Sequence, residues 1–222
     1  MRKRVALVTG ASKGIGAAIA VALEKEGITV LAPPRSEMDM LNISSIEHYL
    51  STVSGPIDIL INNAGINDLA GLEELVQDGM TDMLQLNLVA PLMLTKLIAE
   101  RMKQHLYGRI VNVSSIWSVV AKERRLVYSA VKSAINGVTR TLALELGGHG
   151  VLVNAIAPGY VNTELTSKNN SAEQLRQICD NIPLQRLAEP QEIAEMVVFL
   201  CSEKNSYMTG QVLVVDGGYV CR

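Results

Sequence analysis

RVALVTGASKGIGAAIAVALEKE, residues 4–26, is the stretch whose reading decides the fold. Val5–Val8 is an apolar run of the kind a buried strand makes, and it passes directly into Gly10, Gly14 and Gly16. Glycine at these places lets the backbone bend tightly and approach a ligand closely. Apolar residues then recur at helical spacing from Ile15 onward, so a helix opens on the turn itself. Its free N–H groups and positive dipole end stand at the strand's carboxyl end, where a pyrophosphate fits. A glycine octet is common alone; here a strand precedes it and an amphipathic helix follows, as the phosphate reading requires. Gly10, Ser12, Lys13, Gly14, Ile15 and Gly16 are the candidate phosphate-binding residues.

The same alternation continues outward. Strand-like runs fall at residues 4–8, 29–32, 57–61, 109–113, 152–157 and 211–215. Helical patterns fall at 15–26, 44–53, about 80–105, 127–146 and 191–201. This order predicts an α/β, Rossmann-type doubly wound parallel sheet with helices on both faces. No repeat, low-complexity tract or linker divides residues 1–222, so a single domain is expected. One crossover is abbreviated. Pro33 and Pro34 block a helix, and a full crossover needs at least ~10–12 residues. Residues 38–41 are therefore either a vestigial edge strand or a loop that replaces one.

Composition sets the outer limits. Of 222 residues, 48% are hydrophobic, 19% charged and 4% aromatic, which suits buried parallel strands under helices. A net charge of −2 argues against a general nucleic-acid binder, which needs a basic surplus. Arg2, Lys3 and Arg4 imitate the start of a secretory signal, but the apolar run after them is too short. No uncharged apolar stretch reaches the roughly 18 residues of a membrane span. Cys179, Cys201 and Cys221 are widely spaced without a metal pattern and read as reduced thiols. A cytoplasmic protein with no metal, nucleic acid or membrane partner is expected.

Chemistry enters with Tyr128 and Lys132, four residues apart and so on one helix face. A phenol of pKa near ~10 is a poor base at neutral pH, and a nearby ammonium favours phenolate. Ser115 follows the strand at 109–113, where its hydroxyl can hold a substrate oxygen. Asn87 lies inside the long helical pattern, although asparagine is a poor helix former. Asn62, Asn63, Ala64 and Gly65 end the strand at 57–61, and strand carboxyl ends line the ligand crevice of such sheets.

The glycine turn, the Asn62–Gly65 turn and the intervals to Asn87, Ser115, Tyr128 and Lys132 together resemble the short-chain dehydrogenase/reductase family. The resemblance covers essentially the whole chain. It implies hydride exchange between a nicotinamide dinucleotide and a carbonyl or alcohol carbon. Tyr128 would be the general acid/base and Ser115 would position and polarise the carbonyl. Lys132 would lower the tyrosine pKa and bind the nicotinamide ribose, and Asn87 would support a proton relay through water. Asn63 would lie near the adenosine ribose and Asp39 against adenine. Val161 and Thr163 would hold the nicotinamide carboxamide. Residues from about 160 to 187 match the family's substrate flap.

NAD-users carry an acidic residue where this chain has Pro34, and Arg35 follows with Lys13 on the same side. Two cations with no opposing carboxylate favour a 2′-phosphate, so NADP(H) is expected over NAD(H). Within the family, the chain most resembles 3-oxoacyl-carrier-protein reductases. A sugar, polyol or nucleotide-sugar ketoreductase is the alternative, and a non-catalytic dinucleotide-sensing protein the alternative of another class. Trp117 reads as a pocket wall. Lys122, Arg124 and Arg125 either attract a phosphorylated or carrier-bound substrate or form a solvated loop. The helical patterns at about 80–105 and 127–146 carry surplus apolar surface, which family members pair, so a homotetramer or homodimer is expected.

Overall fold

A computed structural model describes residues 3–221. Its core is a six-stranded, all-parallel sheet in the order β2-β1-β3-β4-β5-β6. The strands are β1 (Val5–Val8), β2 (Thr29–Leu31), β3 (Ile59–Asn62), β4 (Gly108–Val113), β5 (Val151–Pro158) and β6 (Val212–Val215). All six expected strands are present, with ends shifted by a residue or two.

Side chains alternate across the sheet, as the strand period demands. Leu7, Leu60, Ile110 and Val153 face one way, onto α2 (Ile43–Thr52), α4 (Ala90–Gln104) and α5 (Leu126–Gly147). Ala6, Val8, Ile59, Ile61 and Val111 face the other, onto α1 (Gly14–Lys25) and α8 (Pro190–Cys201). Both faces are covered, which explains why the strands read as unbroken apolar runs. The chain steps outward from β1 to β2 and then crosses back to β3 on the other side of β1. That reversal opens a crevice at the carboxyl ends of β1 and β3.

Two elements depart from regular strand and helix. Residues 38–41 form a loop, so the abbreviated crossover has no strand of its own. The loop is nevertheless part of the core. Met38 and Met40 are buried beside Ile46 and Leu60, filling space at the sheet's β2 side. Asp39 fixes its course by accepting from the Leu41 amide at 3.0 Å and donating its own amide to Ser45 Oγ at 3.0 Å.

The long helix begins at Gln77 and is interrupted. α3 (Gln77–Leu84) runs into a π turn, Gln85–Val89, before α4 begins. Pro91 has no N–H to give the carbonyl four residues back, that of Asn87. Asn87 also donates its side-chain amide to the Met83 carbonyl at 2.9 Å, competing with the backbone ladder. A π turn is the local solution, and such turns gather at functional sites. By length and composition the helix Gln77–Gln104 could cross a membrane. In this fold it is a core helix, with Leu94, Ile98 and Met102 buried against the sheet.

The anchoring of the short loop is testable. Met38→Ala removes a core side chain and should cost about 2–4 kcal/mol in urea denaturation. A loss below about 0.5 kcal/mol would show that the loop is not held by its methionines.

Candidate functional site

At the carboxyl end of β1, Thr9 is buried and its hydroxyl is a hub. It donates to the Ile61 carbonyl at 3.2 Å and accepts from the Asn63 and Ala64 amides, each at 3.0 Å. Asn63 returns the contact: its side-chain amide donates to the carbonyls of Thr9 at 2.9 Å and Gly10 at 3.0 Å. The two turns are thus laced together. A methyl on Gly16 would overlap both the Gly10 carbonyl and the Asn63 amide, and one on Gly10 would come within 2.9 Å of Ala64 Cα. Gly10 also has φ +66°, a left-handed backbone that L side chains resist. The first turn of α1 carries no acidic residue and no side-chain cap. Its amides and dipole are therefore available to an anion.

From this cradle a cleft of about 810 Å³ runs along the strand ends to Ser115, Tyr128 and Lys132. It is large enough for an extended dinucleotide, and the bare glycine backbone gives a pyrophosphate room to approach. Thr163 closes it from above. Its side chain lies 3.4 Å from where a Gly14 methyl would stand, and its hydroxyl caps α6 (Glu164–Lys168) by accepting from Thr166 N at 3.3 Å. Val161 is buried and bridges Ala188, which holds that segment to the body.

The reacting end has a distinct electrostatic character. Lys132 is only 5% exposed, and its Nζ donates to the Val113 carbonyl at 2.7 Å. Burial pushes its pKa down to about 8. Tyr128, with Lys132 Nζ 5.5 Å from its ring centroid, is pushed up by desolvation. A hydrogen bond with Ser115 and the charge of Arg125 oppose that rise. Lys132 Nζ donates to a backbone carbonyl, and Arg125 is a second cation whose charge acts on the phenol. Ser115 heads a short 3-10 turn, and its Oγ accepts from Trp117 N at 3.3 Å, which leaves its proton directed at the Tyr128 phenol within the cleft.

Asn87 is 2% exposed. Its amide donates to the carbonyls of Ile66 at 3.1 Å and Met83 at 2.9 Å, while its Oδ1 is enclosed without a partner. That oxygen lies against Gly65, where a methyl would overlap it and would stand 3.8 Å from Lys132 Nζ. An orphaned buried acceptor close to an ammonium is a place for bound water.

The adenosine end corrects one expectation. Lys13 and Arg35 were read as cations without opposing carboxylates. Lys13 pairs with Glu164 at 2.7 Å, and Arg35 pairs with Asp39 at 3.4 Å. The Glu164 partner is 151 residues away in sequence, and only the fold of α6 over the cradle brings it near. Asn63, expected near a ribose, has its amide engaged on the turn carbonyls, although it still lines the cleft.

The loop before Tyr128 also resolves into unlike parts. Arg124 adopts φ +62° and grips Glu74 with two bonds of 2.8 and 2.6 Å. Lys122 is exposed, and its Nζ meets the Tyr160 hydroxyl at 2.8 Å. Arg125 turns inward and is 5% exposed, so the solvated-loop reading fails for it. Trp117 does wall the cleft, and it packs edge-on against Tyr160 at 5.8 Å and Tyr219 at 6.1 Å. Nothing in the sequence pattern marked Tyr219 as a neighbour of Trp117.

Comparison with known proteins agrees with this geometry. A family model described as enoyl-(acyl carrier protein) reductase matches residues 37–220, and one described as short chain dehydrogenase matches residues 4–46. The chain is 36% identical to a 3-oxoacyl-[acyl-carrier-protein] reductase of Vibrio harveyi, over 97% of this chain and 96% of that one. Among solved structures it is similar to 4-hydroxyisoleucine dehydrogenase complexed with NADH, with TM-score 0.94 and 28% identity over 99% of this chain and 100% of that one. It is similar also to an actinorhodin polyketide ketoreductase with NADPH, with TM-score 0.93 and 31% identity over 98% and 97% of the two chains.

The depressed lysine has a measurable consequence. An unfolded lysine titrates near ~10.4, and the folded Lys132 near about 8. Between those values the unfolded chain holds the extra proton, so Lys132 destabilises the fold at lower pH and stability rises as pH rises. Relative to Lys132→Met, the native chain should gain roughly 2 kcal/mol between about pH 8 and about pH 10. Parallel pH profiles for the two chains in urea denaturation would contradict the burial of a charged lysine.

Proposed function

The chain belongs to the short-chain dehydrogenase/reductase family, and on that premise we propose that it interconverts a ketone and a secondary alcohol with NADP(H). It is an NAD(P)-dependent oxidoreductase by membership; the residue roles, the cofactor preference and the substrate are our reading. One observation carries it. Ser115, Tyr128, Lys132 and the orphaned Asn87 oxygen converge at one end of a cleft whose other end is a glycine cradle.

Bound in that cleft, the dinucleotide supplies a hydride acceptor or donor at its nicotinamide ring. The chain does the rest. Ser115 donates a hydrogen bond to the carbonyl oxygen and polarises the bond. Tyr128 gives its phenolic proton to that oxygen during reduction and takes it back during oxidation. Lys132, pushed down by burial to about 8 and so nearer to neutral pH than an ordinary lysine, replenishes the proton through a water held by Asn87 Oδ1. Val161 and Thr163 orient the nicotinamide carboxamide, and residues from about 160 to 187 act as the flap over the substrate.

Preference for the 2′-phosphate is supported by the absence of an acid at Pro34 and by Arg35 and Lys13. Both cations now have carboxylate partners, but the pairs are exposed. Exposed pairs are worth little, and a doubly charged phosphate can replace a single carboxylate. Asp39 remains the candidate adenine contact. The relative's name makes a 3-oxoacyl thioester the first substrate to assay, with ketoses the second. A single cytoplasmic domain, assembled as a homotetramer or homodimer through the α4 and α5 faces, completes the proposal.

Tyr128→Phe should lower kcat for NADPH-dependent ketone reduction by at least ~1000-fold, while the NADPH dissociation constant moves less than ~3-fold. In the native chain KM for NADPH should lie below that for NADH. Turnover that survives Tyr128→Phe would refute the mechanism, and a clear NADH preference would refute the cofactor assignment.

A further inference from the structure

The Arg125 side chain is 5% exposed and makes no hydrogen bond or ion pair among the described residues. Its Nε and Nη1 are enclosed without partners. Yet Arg125 lines the cleft, beside Ser115, Trp117 and Tyr128. Its guanidinium carbon lies 5.1 Å from the Trp117 ring centroid, so an aromatic face holds it in place. A buried charge without an anion is costly, and chains retain one where something supplies the anion.

The backbone commits Arg125 to this position. Ala70 N donates to the Arg124 carbonyl at 3.2 Å, and Ala70 and Arg125 form a parallel bridge. Arg124, in its left-handed conformation, points outward to Glu74, and its neighbour is thereby sent inward. Arg125 then caps α5 at its start, one helical turn before Tyr128. Guanidinium and phenol both line the cleft, so a molecule seated there lies within reach of both. Their proximity is also why the Arg125 charge acts on the Tyr128 phenol.

We propose that Arg125 is a specificity-determining residue that binds a carboxylate carried by the substrate a few atoms from its ketone, so that the preferred substrate is a short oxo acid. This rests on the ketone-reduction reading and narrows its substrate class. A carboxylate is planar, matches the guanidinium fork and balances its single charge. The wall here is aromatic: Trp117 and Tyr160 line the cleft, and Tyr219 packs against both, with ring centroids 5.6 to 6.1 Å apart. It suits a compact aliphatic acid. Lys122 is the other cation at this wall, and its ammonium is already donated to the Tyr160 hydroxyl. A neutral thioester beside the ketone would leave the guanidinium unmatched.

Acetoacetate and methyl acetoacetate present the same ketone and differ by one charge. With NADPH, the native enzyme should favour the acid in kcat/KM by at least ~10-fold, the size of one charge-assisted bond. Arg125→Gln should collapse that ratio toward unity, and Arg125→Lys should restore part of it. Because Trp117 is the chain's one tryptophan, its fluorescence gives a second readout that needs no turnover. In the NADP⁺-loaded enzyme it should respond saturably to malonate, and at least ~10-fold more weakly in Arg125→Gln with an unchanged melting temperature. Equal use of acid and ester, or a Trp117 response indifferent to Arg125, overturns the proposal. Stronger binding of inorganic phosphate than of malonate overturns the carboxylate assignment. Ketone reduction that ignores Arg125 defeats this proposal alone, whereas NADPH binding without reduction of any ketone defeats the proposed function.

Discussion

The missing side chain of Gly16 is the constraint on which the rest depends. Because nothing projects from that carbon, the first turn of α1 closes onto the Gly10 carbonyl and the Asn63 amide. The contact ties the carboxyl end of β1 to that of β3, the two strands that flank the reversal of the sheet. Thr9 reinforces the tie with a hydroxyl that serves three backbone groups. From this single joint follow the direction of α1, the open amides at its start and the position of the crevice. The proposed reacting end is placed by the same logic further along the sheet, where β4 delivers Ser115 and α5 returns Tyr128 and Lys132 to the cleft.

The electrostatics of the cleft run from paired to unpaired. Toward the cradle, Lys13 pairs with Glu164 and Arg35 with Asp39. Toward the reacting end the cations lose their partners: Lys132 faces a carbonyl and Arg125 a tryptophan ring. Burial makes both costly, and both stand beside Tyr128. In the proposed reaction this puts positive potential where a carbonyl oxygen gains negative charge, which is the form of stabilisation that matters most in such chemistry.

Much of this was legible in the chain. The glycine turn reports its own backbone, since Gly10 and Gly16 mark places where a Cβ has no room and Gly14 a left-handed backbone, and the alternation of strands and helices followed from apolar runs. Asn87, Ser115, Tyr128 and Lys132 were readable as a set, and the fold brings them to one cleft. What was not legible depends on partners distant in sequence or on small backbone events. Glu164 reaches Lys13 only through the fold of α6. The inward turn of Arg125 hangs on the φ of Arg124 and its bond to Glu74. The π turn at Asn87 did have a signal, in Pro91, whose missing N–H deprives the Asn87 carbonyl.

The central claim is that the Gly16–Gly10–Asn63 joint builds the dinucleotide seat. Titrating NADPH into Gly16→Ala, followed by nucleotide fluorescence, tests it most directly. The account predicts a dissociation constant at least ~10-fold above that of the native chain, about 1.4 kcal/mol of lost binding, in a protein that still melts cooperatively. A cooperatively folded Gly16→Ala that binds NADPH as tightly as the native chain would contradict it.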